Sequence, residues 1–148
     1  MSLPIADIGD AITNALDAYF GGGPIVVQRR YVTQQEPGDI GSLLVTVVPV
    51  SDEPVTVTRG SIEHRYTYQI VFQHKMTGGT EESRTEQIDG ILETVQDTID
   101  ELDWAEMDGA KWVGEVVREN LFERDADRQQ NQFTAAFTVA YMKHIARS

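Results

Sequence analysis

The sequence predicts an α+β fold: a mostly antiparallel, twisted sheet of about five strands with two amphipathic helices packed on one face, in the order α-β-β-β-α-β-β. Three observations predict it. Two segments carry apolar residues at three- and four-residue steps, one long segment alternates with a two-residue period, and glycine and proline mark the boundaries between elements. At 148 residues, 41% of them hydrophobic and with two tryptophans, the chain has enough apolar content for one core, so residues 1–148 read as a single domain.

Ile5, Ile8, Ile12, Leu16 and Tyr19 fall on one stripe of a first helix that Pro4 opens and that runs to about Phe20. Gly21, Gly22 and Gly23 accept the left-handed cap conformation, and Pro24 cannot continue a helix. Ile25–Tyr31 reads as a strand, and the polar, Pro-Gly-bearing stretch Thr33–Gly41 as a loop. Ser42–Val50 is dense in leucine and valine, as a strand covered on both faces is, with Pro49 weakening pairing near its end. Ser51–Pro54 is predicted as the next turn. Val55–Thr58 alternates like the strand after it and either begins that strand, with Gly60 as a bulge, or is separated from it by a turn at Gly60.

The strongest strand signal follows. Ile62, His64, Tyr66, Tyr68, Ile70, Phe72 and His74 alternate with Glu63, Arg65, Thr67, Gln69, Val71, Gln73 and Lys75. Met76–Glu82, with Gly78 and Gly79, is predicted as a loop, and Ser83 with Glu86 has the spacing of a capping box that opens the second helix. Its inner stripe is Ile88, Ile91, Leu92, Val95, Ile99 and Leu102; Gly90 lowers its propensity, which close packing would explain, and Asp103–Gly109 ends it. Trp112, Gly114 and Val116 alternate with Lys111, Val113 and Glu115, and Phe133, Ala135, Phe137, Val139 and Tyr141 alternate with Thr134, Ala136, Thr138 and Ala140. Both read as antiparallel strands, with the polar Glu119–Asn131 as a long hairpin tip.

Charge narrows the partners. With 24 acidic and 12 basic residues the net charge is −12, which repels phosphate backbones and anionic membranes. Solubility is the commonest meaning of such an excess; an acidic DNA mimic, or a wall past which DNA slides without sticking, are the sharper ones. The longest apolar run, Leu43–Val50, falls far short of the ~20 residues a membrane helix needs. The first residues lack a basic segment followed by an apolar one, so a cytosolic chain is expected. Without cysteine there is no disulfide, thiolate metal site or cysteine nucleophile.

No motif for chemistry emerges, and no cofactor or metal is expected. Gly21–Gly23 follow a helix and precede a strand, the reverse of a dinucleotide fingerprint. Gly41-Ser42 and Gly60-Ser61 lack the flanks of a nucleophile elbow. His64 and His74 share a strand face but lie about 33 Å apart along it, and His144 is remote in sequence. Asp125 and Asp127 resemble the start of a calcium loop, yet Gln130 stands where glycine is required. The pairs Glu81-Glu82 and Asp100-Glu101 lie in polar segments that give no desolvating cleft. Tyr66, Tyr68 and Phe72 suit either a ligand pocket or, more commonly, a core. Arg29, Arg30 and Arg59 stand out in an acidic chain as contacts to a partner carboxylate, for which a surface ion pair is the commoner alternative.

In this order of elements the chain resembles the tail-terminator, or tail-completion, proteins of long-tailed bacteriophages and prophages. The resemblance rests on the helix Ile5–Phe20, the short strand ending Gln28-Arg29-Arg30-Tyr31, the strand Leu43–Val50, the long strand Ile62–His74, the helix Ser83–Leu102 and the closing strand Phe133–Tyr141. It implies a structural, non-enzymatic subunit of the virion neck, assembled in the host cytoplasm. Six copies would ring the end of the tail tube, stop its polymerisation and offer the head-joining surface. The implied partners are further copies of the chain, the tail tube protein and a head-tail connector protein, with DNA passing through the lumen without specific binding. Loop residues Gln34, Gln35, Glu36 and Asp39, and Arg124, Asp125, Asp127 and Arg128, join the three arginines as candidate partner contacts, ordering on assembly. The competing expectations are another neck protein and a ligand-binding or enzymatic cone whose polar lining would be His64, Tyr66 and Tyr68.

Overall fold

Alternation along the tyrosine-rich segment produces a strand that the rest of the sheet is built on. The computed structural model describes residues 3–20, 25–31, 43–57, 59–75, 81–103, 105–119 and 132–146. Its elements are α1 (Pro4–Phe20), β1 (Val26–Arg29), β2 (Leu44–Val57), β3 (Ser61–Lys75), α2 (Glu81–Leu102), β4 (Lys111–Glu119) and β5 (Gln132–Ala146). Five strands form one sheet in the order β1-β2-β3-β5-β4, and every neighbouring pair is antiparallel except β1 with β2. Parallel pairing of consecutive strands requires a crossover between them rather than a hairpin. The predicted α+β class and element order therefore hold. The expected loop Thr33–Gly41 and the tip after Glu119 lie outside the described residues.

One face of the sheet carries the core. Tyr66, Tyr68, Ile70 and Phe72 of β3 stand in register with Val47 and Val45 of β2 and with Tyr141, Val139, Phe137 and Ala135 of β5. Ile8, Ile12 and Leu16 of α1 and Ile91, Val95, Ile99 and Leu102 of α2 join the same cluster, so both helices cover that face. Each such side chain contributes roughly 1.5–3 kcal/mol by leaving water. Phe72 stacks on Phe137 at 5.9 Å, and Tyr141 meets Tyr68 at 6.5 Å and Trp112 at 5.6 Å, both edge-on. On the opposite face Val48, Val71 and Ala136 form a smaller cluster, and Leu43–Val48 is buried throughout, as its apolar run predicted. In the last turn of α1, Phe20 rather than Tyr19 packs against the core, one four-residue step from Leu16.

The predicted turn at Ser51–Pro54 is absent: β2 runs through it to Val57, and the bend falls at Arg59-Gly60. The reason lies in the direction of the backbone amides. Val26 N–H donates to the Leu43 carbonyl and Arg30 N–H to that of Val47, at 3.0 and 3.1 Å, so the odd-numbered residues at the start of β2 face β1. Because β1 pairs only with Leu44–Val47, the outer edge beyond has no neighbour among the described residues. Register shifts between Pro49 and Ser51 and between Pro54 and Thr56 each absorb one residue, leaving Pro49, Asp52, Pro54 and Val57 edge-facing. Both prolines thus occupy positions whose missing N–H would have pointed away from β3, toward an edge with no strand among the described residues, where a strand tolerates them.

Three further expectations change. The second helix begins at Glu81, so Ser83 is a helical residue and not a cap; the exposed Glu82 in the first turn complements the helix dipole instead. The predicted loop Met76–Glu82 accordingly loses its last two residues to α2, and its remainder lies outside the described residues. Gly90 is not a close-packing position, because nothing lies within 4 Å of where its Cβ would be. Asp108 and Gly109, at φ 51° and 81°, form a two-residue turn closed by reciprocal bonds of 2.9 Å between Met107 and Ala110. An Asp-Gly pair with both residues at positive φ is a favoured hairpin turn. Gly114, at φ 88°, lies where β4 shifts register against β5.

Two measurements of unfolding in denaturant follow. Gly90→Ala should stabilise the protein by about 0.5–1 kcal/mol, since the new methyl meets open space and the unfolded chain loses freedom. Tyr68 and Tyr141 should separate: the Tyr68 hydroxyl donates to the Ile5 carbonyl at 2.6 Å, whereas the buried Tyr141 hydroxyl has no hydrogen-bond partner among the described residues. Tyr68→Phe should cost about 1 kcal/mol and Tyr141→Phe should be neutral or stabilising.

Candidate interaction surface

Gly9 lets the first helix approach the sheet closely. A Cβ there would lie 2.9 Å from Arg29 Cδ and 3.3 Å from Tyr68 Cε1, so the hydrogen at that position is what admits both side chains. In the space it leaves, Arg29 Nε donates to Asp10 Oδ1 at 2.6 Å and the guanidinium lies 5.4 Å from the centre of the exposed Tyr31 ring. The hydrogen bond to Asp10 raises the Arg29 pKa against the opposing effect of burial. Arg29 is thus engaged within the chain, fastening β1 to α1. Arg30 is exposed, its Nη1 donating to the Arg29 carbonyl at 3.2 Å. Arg59 is exposed in the bend between β2 and β3. The structure brings Arg29 and Arg30 to one sheet edge and does not join Arg59 to them in any described contact. Gln34, Gln35, Glu36, Asp39, Arg124, Asp125, Asp127 and Arg128 lie outside the described residues.

The residues proposed to line a cone are held otherwise. Tyr66 and Tyr68 are at most 1% exposed within the core cluster that also contains Ile91 and Val95. His64, at the solvent end of the row, stacks on Tyr66 at 5.7 Å and places Nδ1 2.6 Å from Asp52 Oδ1. Burial, with the Asp52 charge adding to it, pushes the Tyr66 hydroxyl up to about 12; burial raises Tyr68 and Tyr141 further.

Two open cavities flank the start of β4. One of about 530 Å³ is lined by Glu63, Lys111, Val113, Met142, Lys143 and His144, together with Gly109 and Trp112. The other, about 260 Å³, is bounded by Ala105, Glu106, Lys111 and Trp112. Between them the Asp108-Gly109 turn is fixed by Lys143, whose Nζ donates to the Asp108 carbonyl at 2.7 Å and reaches Oδ2 at 3.4 Å. Residue spacing in sequence conceals this cluster; the Asp108-Gly109 pair was its one legible sign. No helix among the described residues is long and apolar enough to cross a membrane.

The third feature is electrostatic. Glu82, Glu86, Asp89, Glu93, Asp97 and Asp100 are all exposed and recur at three- and four-residue steps along α2. They form a carboxylate stripe about 27 Å long, on a helix with no basic residue in its last turn. Like charges at this spacing destabilise a helix by roughly 0.2–0.5 kcal/mol per pair.

No protein-family model matches the chain, and no curated protein matches it. Among solved structures it is similar in fold to a chain from the virion of a native gene transfer agent particle, with 14% identity and a TM-score of 0.53. The similarity spans 99% of this chain and 100% of that one.

The buried hydroxyls give a pH dependence with a definite sign. Tyr66, Tyr68 and Tyr141 keep their protons in the native state to higher pH than in the unfolded chain. Their contribution is therefore complete below about pH 10 and declines as pH rises toward the native values. Equilibrium unfolding between about pH 9 and 12 should show stability falling with pH, and phenolate absorbance from these three residues should appear together with loss of the fold.

Proposed function

We propose that the chain is a structural subunit of a phage-type virion, and that it acts as a tail terminator: a ring, six-membered on assembly, on the head-proximal end of the tail tube. The observation that carries this reading is the end-to-end correspondence of fold with a virion-particle chain, the two covering each other almost completely. The order of elements, which resembles that of tail-completion proteins, supports the finer assignment. In this reading the ring ends tube polymerisation and offers a surface to the head-tail connector. The genome passes through its lumen. A carboxylate stripe such as that of α2 suits a wall that phosphate backbones must pass without adhering. The exposed Arg30 and Arg59 are available to partner carboxylates, whereas Arg29 already has Asp10.

Light scattering or native mass spectrometry over a concentration series, with and without purified tail tubes, tests the proposal. Weak association alone, rings of six on tubes and arrest of tube growth are the expected results. Charge reversal of Arg30 or Arg59 should weaken capping by roughly three- to tenfold through lost complementarity at the contact. A tight dimer indifferent to tubes would overturn the terminator assignment. Binding to connector rings without binding to tubes would move the protein to another position in the neck.

A further inference from the structure

Aspartate is followed by glycine at two places, Asp89-Gly90 and Asp108-Gly109. The pair is chemically distinctive. The backbone nitrogen of the second residue can attack the side-chain carboxyl carbon of the first, and glycine has no Cβ to obstruct the approach. The structure holds the two pairs in opposite ways. Asp89-Gly90 lies inside α2, where the Gly90 N–H is engaged in the helical bond to the Glu86 carbonyl. Ile88, Ile91 and Leu92 anchor that part of the helix on the core. Asp108-Gly109 lies in the exposed turn before β4. The two bonds that close this turn run between Met107 and Ala110, so the Gly109 N–H is committed to neither. Asp108, at φ 51°, is in the left-handed region that residues with a Cβ seldom enter, and its side chain is 46% exposed.

One side chain restrains the exposed pair. Lys143 Nζ donates to the Asp108 carbonyl at 2.7 Å and lies 3.4 Å from Oδ2. Its Cε passes 3.7 Å from where a Cβ of Gly109 would stand. The ammonium therefore tethers the carboxylate that would be attacked, and the stem covers the glycine beside it. Rotation of the carboxyl carbon toward the Gly109 nitrogen is opposed by the contact at Oδ2.

We propose that Asp108-Gly109 is a site of spontaneous backbone modification, converted to isoaspartate through a succinimide, and that Lys143 holds the conversion back. The Gly109 nitrogen bonds to Asp108 Cγ and loses its proton, and a carboxyl oxygen departs as water, closing a cyclic imide. Water then adds back at either ring carbonyl. Attack on the former side-chain carbonyl restores aspartate. Attack on the main-chain carbonyl breaks its bond to the Gly109 nitrogen, so the chain now runs through Cβ and Cγ and a free carboxylate remains on Cα. One water leaves and one enters, so no oxidant, enzyme or co-reactant is required. The backbone gains a methylene, which a two-residue hairpin turn does not accommodate. Conversion therefore loosens the bridge between Met107 and Ala110 and the start of β4.

The full chain, stored for several weeks at neutral pH and physiological temperature, is digested and mapped by mass spectrometry with electron-transfer fragmentation, which distinguishes isoaspartate from aspartate at equal mass. Isoaspartate should accumulate at Asp108 about tenfold faster than at Asp89, where the helix must open locally before the nitrogen is released. In denaturant the two rates should become equal, which attributes the difference to the fold. Lys143→Met, which keeps the stem and removes the tether, should speed conversion at Asp108 about threefold, the equivalent of one exposed ion pair. Lys143→Arg should return the slow rate. The rate at Asp89 reports any general loosening of the variants and should stay unchanged. Equal native rates at the two sites, faster conversion at Asp89, or a Lys143→Met effect that is absent or shared by both sites would each overturn the proposal.

Discussion

Pairing on both sides of β3 is the constraint from which the remaining elements take their places. Its fifteen residues are bonded to β2 on one side and to β5 along the whole length of the other. Its alternation then does two things at once. Even-numbered side chains from Tyr66 to Phe72 become the floor of the core, and both helices lay their apolar stripes on that floor. Tyr68 extends the link to the N-terminal helix through its hydroxyl, which reaches the Ile5 carbonyl past the gap at Gly9. The Arg29–Asp10 pair then fixes β1 against the same helix turn. A shift of β3 by one residue would exchange the buried tyrosines for Arg65, Thr67 and Gln69, so register and core are specified together.

What was legible in the sequence follows from this. Patterns that depend on burial were read correctly: the stripes Ile8, Ile12, Leu16 and Ile91, Val95, Ile99, Leu102, the alternation of β3 and β5, and the two-sided burial of Leu43–Val48. Patterns that depend on direction or on remote partners were not. Ser51–Pro54 has the composition of a turn, and only the pairing of β2 shows that Pro49 and Pro54 both aim their missing amide at an edge with no strand among the described residues. Ser83 and Glu86 have capping-box spacing, but the two glutamates before them already start the helix. Gly90 was given a packing role because a neighbour cannot be read from spacing. Of the candidate partner contacts, Arg29 has a partner nineteen residues away in sequence that only the fold brings within reach. Strand order, with β5 inserted between β3 and β4, was likewise illegible.

The electrostatics of α2 set stability against surface character. A helix carrying a line of exposed carboxylates, and no basic residue in its last turn, gives up some intrinsic stability through like-charge spacing and an unfavourable end. Its apolar stripe and the core beneath it offset that loss. The result is a domain with an acidic surface, on which Arg29 and Lys143 are held by Asp10 and Asp108 while Arg30, Arg59 and Lys111 are exposed. Such a surface opposes association between copies until a specific contact overrides repulsion, which suits the assembly-dependent ring proposed above.

The position of β5 has a consequence for biosynthesis. It is made after the other four described strands, yet it lies inside the sheet, between β3 and β4. While the chain is emerging from the ribosome, β1, β2 and β3 can pair, but one flank of β3 has no mate and β4 has nothing to lie against. The nascent domain therefore passes through a stage in which the strand that carries Tyr66, Tyr68, Ile70 and Phe72 shows a bare edge, the state in which strands recruit one another between polypeptides. The prolines that guard β2 offer β3 no such protection. Completion of the fold waits for the last strand to slide into an interior slot, and the hazard of misassociation is greatest just before it does.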